Sequence, residues 1–275
     1  MTNCELCKFN NPKATVTAII LKDNCLLRVL RNEEPFKGVW DLPGGYMEEE
    51  ETLEFAIRRE LNEEFDIRDF DVQFIKTFPG TALWKEKEFP ILSHVFLVDI
   101  KENKIKLNEE NSYYDWKPLK FLDPQIMAFD SNEEISQYAK DTFTMDFDRM
   151  KELVRQLDPN TEIKEHSFYK AKLCGKISQI YDGNKLIAMG WIFPRQTLLR
   201  YQAVVEDMIV DEAYRGKGYG RMILQELLNW ARVKEIETVE LTTNPSRIAA
   251  NELYKSEGFK LHPTNHYLYR VDNGS

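Results

Sequence analysis

Residues 42–67 read LPGGYMEEEETLEFAIRRELNEEFDI and set eight glutamates and an aspartate around an apolar series, Leu53, Ile57, Leu61 and Phe65. The series recurs every fourth residue, which predicts a helix from about Thr52 to Phe65 with one packed face. Glu60, Glu63 and Glu64, at i, i+3 and i+4, then share another face, expected to be the wet one. Like charges at this spacing repel, and carboxylates held together raise one another's pKa unless a cation sits among them. A solvated acidic face needs no fixed spacing, whereas a hard divalent ion such as Mg²⁺ requires convergent oxygen ligands. Gly44 and Gly45 permit the tight turn that brings a backbone carbonyl beside these carboxylates. Arg59, eight residues after Glu51, is placed to pin the preceding loop by an ion pair.

At 275 residues the chain exceeds a common single domain of roughly 100 to 200, so two domains are expected. Its 43% hydrophobic and 30% charged content is globular, and no apolar run reaches the length of about 18 residues that a membrane span needs. A net charge of -9 opposes non-specific nucleic-acid binding, so anionic ligands must be met by metals, helix ends or small basic clusters. Four cysteines, Cys4, Cys7, Cys25 and Cys174, are too few for a disulfide scaffold. Residues 1–12 are polar and lack an apolar stretch. A cytoplasmic location is expected, with neither membrane nor nucleic acid as partner.

Outward from the acidic stretch, 14–30 (ATVTAIILKDNCLLRVL) predicts two strands about the turn Lys22-Asp23-Asn24. Strands are expected at 72–78 and 91–99, separated by a break at Pro79-Gly80 and a charged loop at 84–88. A last strand at 116–121 and a closing helix at 133–142 follow. Beyond 144 the pattern restarts with an amphipathic helix at 145–157, carrying Met150, Leu153 and Leu157 inward and ending at Asp158-Pro159-Asn160. A hairpin over 176–193 turns at Asp182-Gly183-Asn184. A strand at 204–210 enters a Gly-rich turn, and the next helix points Leu224, Leu228 and Ala231 inward. A buried-type strand at 238–242 and a helix at 249–256, capped by Gly258, complete an α/β pattern.

Gly45, Glu51, Arg59, Glu60, Leu61, Glu63, Glu64 and Ile67 stand at the spacings of the Nudix box, and this half of the chain resembles that family of hydrolases. The departure is Asp66, where the family has glycine; Asp tolerates the left-handed conformation common at a helix end. The resemblance implies an α/β/α sandwich with a mixed sheet over 14–143. It also implies hydrolysis of a nucleoside diphosphate linked to another group, with Mg²⁺ or Mn²⁺ on Gly44, Glu60, Glu63 and Glu64, and with Glu60 and Glu64 as catalytic residues. Several family members take the base from a later loop, which leaves Glu60, Glu86 and Glu88 all open for that role.

Residues 4–16 (CELCKFNNPKATV) and 40–45 (WDLPGG) further resemble NADH-pyrophosphatase-like proteins, in which a zinc ribbon ends where the head 1–13 lies. Zinc needs four ligands, and Cys4 and Cys7 supply half. The head is either a vestige or half of a site completed in a homodimer. Trp84, on a loop facing the expected substrate side, is a candidate to stack on a base. His94, within an apolar strand, is read as a core residue.

In VVEDMIVDEAYRGKGYGRMILQELLNWA (204–231), the run Arg215-Gly216-Lys217-Gly218-Tyr219-Gly220 lies between a strand and a helix. Backbone N–H groups there, at the positive end of a helix, can cradle a pyrophosphate. Taken alone, the run is no more than a basic turn. Preceded by Met208-Ile209-Val210 and followed by Ala250-Asn251-x-Leu253-Tyr254-x-x-x-Gly258-Phe259, it resembles the GNAT acetyltransferases across both cofactor motifs. The resemblance implies a GNAT α/β acyltransferase fold over 144–275, with the pyrophosphate of acetyl-CoA on 215–220 and its pantetheine arm along Ile209 and Val210. Asn251 belongs to the second cofactor motif. Tyr254 matches the acid that protonates the leaving thiolate, and Glu206 is the candidate base for an amine acceptor. The expectation is a bifunctional enzyme. The alternatives are one catalytic domain regulated by a ligand-sensing second domain, or a non-catalytic nucleotide- and CoA-binding protein.

Overall fold

The computed structural model describes residues 11–84, 86–101, 104–161 and 163–269. The head with Cys4 and Cys7, and the side chain of Trp84, lie outside the described residues. The chain divides into two compact units between Cys174 and Gly175. Among the described residues, no helix is long and apolar enough to cross a membrane.

The first unit holds β1 (Lys13–Lys22), β2 (Cys25–Arg31), β3 (Trp40–Asp41), β4 (Gly44–Tyr46), β5 (Phe70–Trp84), β6 (Lys87–Ile100) and β7 (Asn111–Pro118). Its helices are α1 (Leu53–Phe65), α2 (Asp130–Phe143), α3 (Phe147–Leu157) and α4 (Glu165–Cys174). The mixed sheet runs β3-β2-β1-β6-β5, with β4 paired to β1 and β7 to β2. Only the β1–β6 pairing at its centre is parallel among the described pairs. Val16, Ala18 and Ile20 alternate onto one face beside Leu27, Val29, Phe96 and Val98, and α1 covers them with Ala56, Ile57, Leu61 and Phe65. Burying each large side chain contributes about 1.5–3 kcal/mol, which outweighs the repulsion along the helix.

Both ends of α1 follow from local chemistry. The Thr52 hydroxyl accepts the Phe55 N–H, and Asp66 closes the helix at φ 53°, ψ 33°, donating its N–H to the Asn62 carbonyl. Asp66 thus takes the left-handed turn that glycine occupies in the resembled motif.

Several expectations are corrected. Pro79 and Gly80 do not break the chain; they lie inside β5, opposite Leu92 and Ile91. β5 ends the sheet order, so the missing proline N–H faces an open edge and costs no ladder bond. The last strand begins earlier, at Asn111, and 119–121 is a 3-10 turn. α4 has no counterpart among the elements expected from the sequence.

The second unit holds β8 (Lys176–Asp182), β9 (Lys185–Gln196), β10 (Tyr201–Val210), α5 (Tyr219–Val233), β11 (Thr238–Leu241) and α6 (Ile248–Ser256). Its sheet runs β11-β10-β9-β8, with β10 and β11 parallel. Ile223, Leu227 and Ala231 of α5 pack on Ala188, Ile192, Ala203 and Val205. Leu228, expected inward, is half-buried. β11 is not the buried-type strand expected: exposed and half-buried residues alternate along it, because it forms the sheet edge. Gly258 follows α6 at φ +92°, as its capping role requires.

Candidate functional site

In the first unit Arg59 organises the acidic face of α1. Its guanidinium donates to both oxygens of Glu51 (2.7 and 3.0 Å), to Glu60 Oε1 (2.9 Å), to Glu63 Oε2 (3.1 Å) and to the Tyr46 carbonyl (2.8 Å). These bonds hold the Glu51 carboxyl below its ordinary range. They also tie the 46–51 loop to the helix, as the spacing of Glu51 and Arg59 predicts.

Glu64 departs from expectation: it is only 7% exposed and does not lie on a wet face. A distant segment covers it, with the Lys106 N–H on the Phe65 carbonyl and the Asn108 N–H on the Glu64 carbonyl, both at 3.0 Å. The Gly44 N–H donates to Glu64 Oε2 (3.1 Å) and Asn111 Nδ2 to Oε1 (3.4 Å). What meets the carboxylate is thus the glycine N–H, where a carbonyl is expected. Burial first, and then the charge of Glu60, hold the Glu64 carboxyl well above its usual value. Burial also raises Glu60, against the pull of Arg59. Glu63 is more than half exposed.

Among the described residues, no three carboxylate, imidazole or thiol groups converge closely enough to hold one metal ion as the side chains are placed. Arg59 Nη1 is shared between Glu60 (2.9 Å) and Glu63 (3.1 Å). The donor set nonetheless fits a hard divalent ion. All of its side-chain donors are carboxylate oxygens, and Glu60 acts on Glu64 and Glu63 on Glu60 by a repulsion, smaller than the effect of burial, that such an ion relieves. Gly45 leaves room for the Glu60 carboxylate, which a Cβ would enter: that atom would stand 2.2 Å from Oε1.

Glu110 is a residue that sequence reasoning missed. Its charge acts on both Glu60 and Glu64. Glu86 and Glu88, the expected loop candidates, are exposed at and beside the β5–β6 turn. Glu110 carries no periodic signal; it arrives with the loop that covers Glu64. His94, expected in the core, is half-buried, and its Nδ1 meets Thr77 Oγ1 at 2.8 Å.

In the second unit, β10 pairs with β11 only from Gln202 to Val205. From Glu206 to Val210 its described partners lie on β9 alone, and a bulge between Glu206 and Ile209 carries Asp207 at φ +51°. Ile209 and Val210 therefore border an open strand edge that leads to the 215–220 turn. There Gly216 (φ +76°) and Gly218 (φ +88°) adopt a conformation that L side chains resist, and Gly218 starts α5 without a side-chain cap. The first amides of α5, from Tyr219 and Gly220 onward, are thus available to an anion. Arg215 Nε returns to the Val210 carbonyl (3.2 Å), and Lys217 lies over the Tyr214 ring.

Tyr254 is half-buried on α6, edge-on to Phe259. Burial raises its hydroxyl pKa, Arg247 opposes the rise and Glu206 adds to it, so the expected acid and base lie within electrostatic reach. Burial and Asp207 raise the Glu206 carboxyl, with His266 opposing. Asn251 Nδ2 donates to the carbonyls of Asn244 (3.1 Å) and Arg247 (2.9 Å), and so braces the loop before α6.

Residues 11–139 match the NUDIX domain family, and residues 133–259 match the acetyltransferase (GNAT) family. Over 132 residues, 47% of the chain, the sequence is 31% identical to an ADP-ribose pyrophosphatase of Methanocaldococcus jannaschii, and it spans 75% of that protein. Over 107 residues, 39% of the chain, it is 27% identical to the uncharacterized N-acetyltransferase YobR of Bacillus subtilis, spanning 41% of that protein's length. Among solved structures, a MutT NUDIX hydrolase from Burkholderia pseudomallei is 20% identical with a TM-score of 0.41, covering 49% of this chain and 99% of that one.

Proposed function

We propose, for a chain that belongs to the NUDIX family over residues 11–139 and to the acetyltransferase (GNAT) family over residues 133–259, two reactions on one polypeptide. One is hydrolysis of a nucleoside diphosphate linked to a second group, with ADP-ribose the first compound to test in view of the archaeal relative. The other is transfer of an acetyl group from acetyl-CoA to an amine. The observation that supports the first reading is a pair of contact sets on one helix: Arg59 holds Glu60 and Glu63, and the Gly44 N–H of the loop ahead of α1 holds Glu64.

Glu60, Glu63 and Glu64, with Gly44, would hold Mg²⁺ or Mn²⁺. Bound there, the ion supplies charge neutralisation at the pyrophosphate and a more acidic water. Arg59 keeps the 46–51 loop closed on the helix. Glu60, Glu86 and Glu88 stay open as the group that takes the proton of the attacking water, and Glu110, exposed on the loop that covers Glu64, joins them.

In the acetyl transfer, Glu206 takes a proton from the incoming ammonium and the freed amine attacks the thioester carbonyl. Tyr254 then gives its proton to the departing thiolate. A hydroxyl kept protonated by burial suits that task, and so does a carboxyl whose raised pKa makes it a stronger base. The test is turnover of nucleoside diphosphate derivatives with Mg²⁺ or Mn²⁺ against chelator, and release of free CoA thiol from acetyl-CoA with a panel of amines. Absence of metal-dependent hydrolysis across the panel would overturn the first reading, and absence of acetyl-CoA binding the second.

A further inference from the structure

We propose that Asn111 is a positioning residue of the hydrolase site, setting the orientation in which the Glu64 carboxylate is offered to the cation; this rests on the hydrolase reading above. Asn111 is 7% exposed, as is Glu64, and its Nδ2 is 3.4 Å from Glu64 Oε1 while the Gly44 N–H holds Oε2 at 3.1 Å. One donor on each oxygen stops rotation of the carboxylate about its last bond. Each oxygen retains a second lone pair for a ligand.

The two donors differ in kind from Arg59. A guanidinium on Glu60 and Glu63 brings positive charge that competes with a divalent ion, whereas a backbone N–H and a carboxamide are neutral and orient without neutralising. Asn111 can impose an orientation because it is itself fixed. Its backbone pairs with Arg31 at the start of β7. The loop before it is held by the Asn32 N–H on the Glu110 carbonyl (2.7 Å) and Asn32 Nδ2 on the Glu109 carbonyl (2.9 Å), bonds that do not involve the Asn108 side chain. The same loop donates the Asn108 N–H to the Glu64 carbonyl, so one segment holds this glutamate by both main chain and side chain.

The experiment compares full-length wild type, Asn111→Ala and Asn108→Ala. Mn²⁺ affinity is read from the electron paramagnetic resonance signal of free Mn²⁺ without substrate, together with kcat and KM on ADP-ribose and thermal unfolding. Asn108→Ala perturbs the same loop but leaves the Asn111 amide in place. Asn111→Ala is expected to weaken Mn²⁺ binding and to lower kcat, each about tenfold or more, with KM within about twofold. Asn108→Ala is expected to keep affinity and kcat near wild type at a similar loss of unfolding temperature. If Asn111→Ala does not fold, Asn111→Ser, too short to reach Oε1, is read in its place. Wild-type Mn²⁺ affinity and kcat in the Asn111 variant, a change in KM alone, or equal losses in Asn108→Ala would each overturn the inference while leaving the hydrolase reading intact. A wild type that neither binds Mn²⁺ nor hydrolyses any nucleoside diphosphate derivative would overturn both.

Discussion

A Cβ built on Gly45 would stand 2.2 Å from Glu60 Oε1. The atom in the way ends a flexible side chain, so the carboxylate moves and the backbone need not. Gly45→Ala is expected to unfold within about 3 °C of wild type. A displaced carboxylate should still lower metal-dependent hydrolysis about 100-fold. Normal hydrolysis at a normal unfolding temperature would show that the position of Glu60 is immaterial.

Glu64 and Glu60 have carboxyl pKa values above the ordinary range, chiefly through burial. The folded chain therefore binds these protons more tightly than the unfolded chain. The stability they contribute is present below the ordinary glutamate value of about 4.3 and is lost as pH rises through the raised values. In chelator, the unfolding temperature should fall as pH rises above that point, and Mg²⁺ should restore it most at the alkaline end. Glu64→Gln should flatten the decline and lower hydrolysis about 100-fold or more. A decline as steep as that of wild type in this variant would assign the pH effect elsewhere.

Arg59→Lys cannot reproduce five donor contacts, including the two-pronged pair with Glu51. The pair is largely shielded, at 15% and 7% side-chain exposure. A stability loss of about 1–3 kcal/mol is expected, with slower hydrolysis as the 46–51 loop loosens. Denaturant midpoints and initial rates check it, and unchanged values would reduce the cluster to a surface network.

Gly218 has φ +88° and nothing within 4 Å of a built Cβ, so substitution there strains the backbone without a clash. Gly218→Glu also sets a negative charge before the first amides of α5. Acetyl-CoA binding should weaken at least tenfold, about 1.4 kcal/mol, as read by calorimetry, with hydrolysis near normal. Collapse of hydrolysis at an unchanged unfolding temperature would favour one catalytic domain regulated by a sensing one.

The Glu165 carboxylate accepts the N–H groups of Asp23 (2.8 Å) and Asn24 and the Tyr169 hydroxyl, and Asn24 Nδ2 donates to the Met145 carbonyl (2.7 Å). The sequence-based expectation sets the domain boundary at 143–144, yet these bonds belong to the first compact unit, which runs to Cys174. Tyr169 also buries its ring against Phe143 at 5.4 Å. A chain cut after 143 should therefore unfold at a lower temperature than one cut after 174. Equal unfolding temperatures would make α4 dispensable to that unit.

By itself the sequence determined what local periodicity can carry. The apolar series of α1, the pairing of Glu60 and Glu63 on Arg59, the reach of Arg59 to Glu51, the turn at Asp66 and the glycine pattern before α5 all rest on residues near one another in the chain. Tertiary structure alone decided what covers each face. Glu64 is buried because Asn111, 47 residues on, folds over it, and Glu110 reaches the carboxylates on the same loop. Pro79 continues a strand because β5 happens to lie at a sheet edge, and β11 is half-exposed for the same reason. Spacing along a helix or strand states which side chains share a face. Burial, and with it the pKa of a carboxylate, depends on segments brought together only by the closed fold.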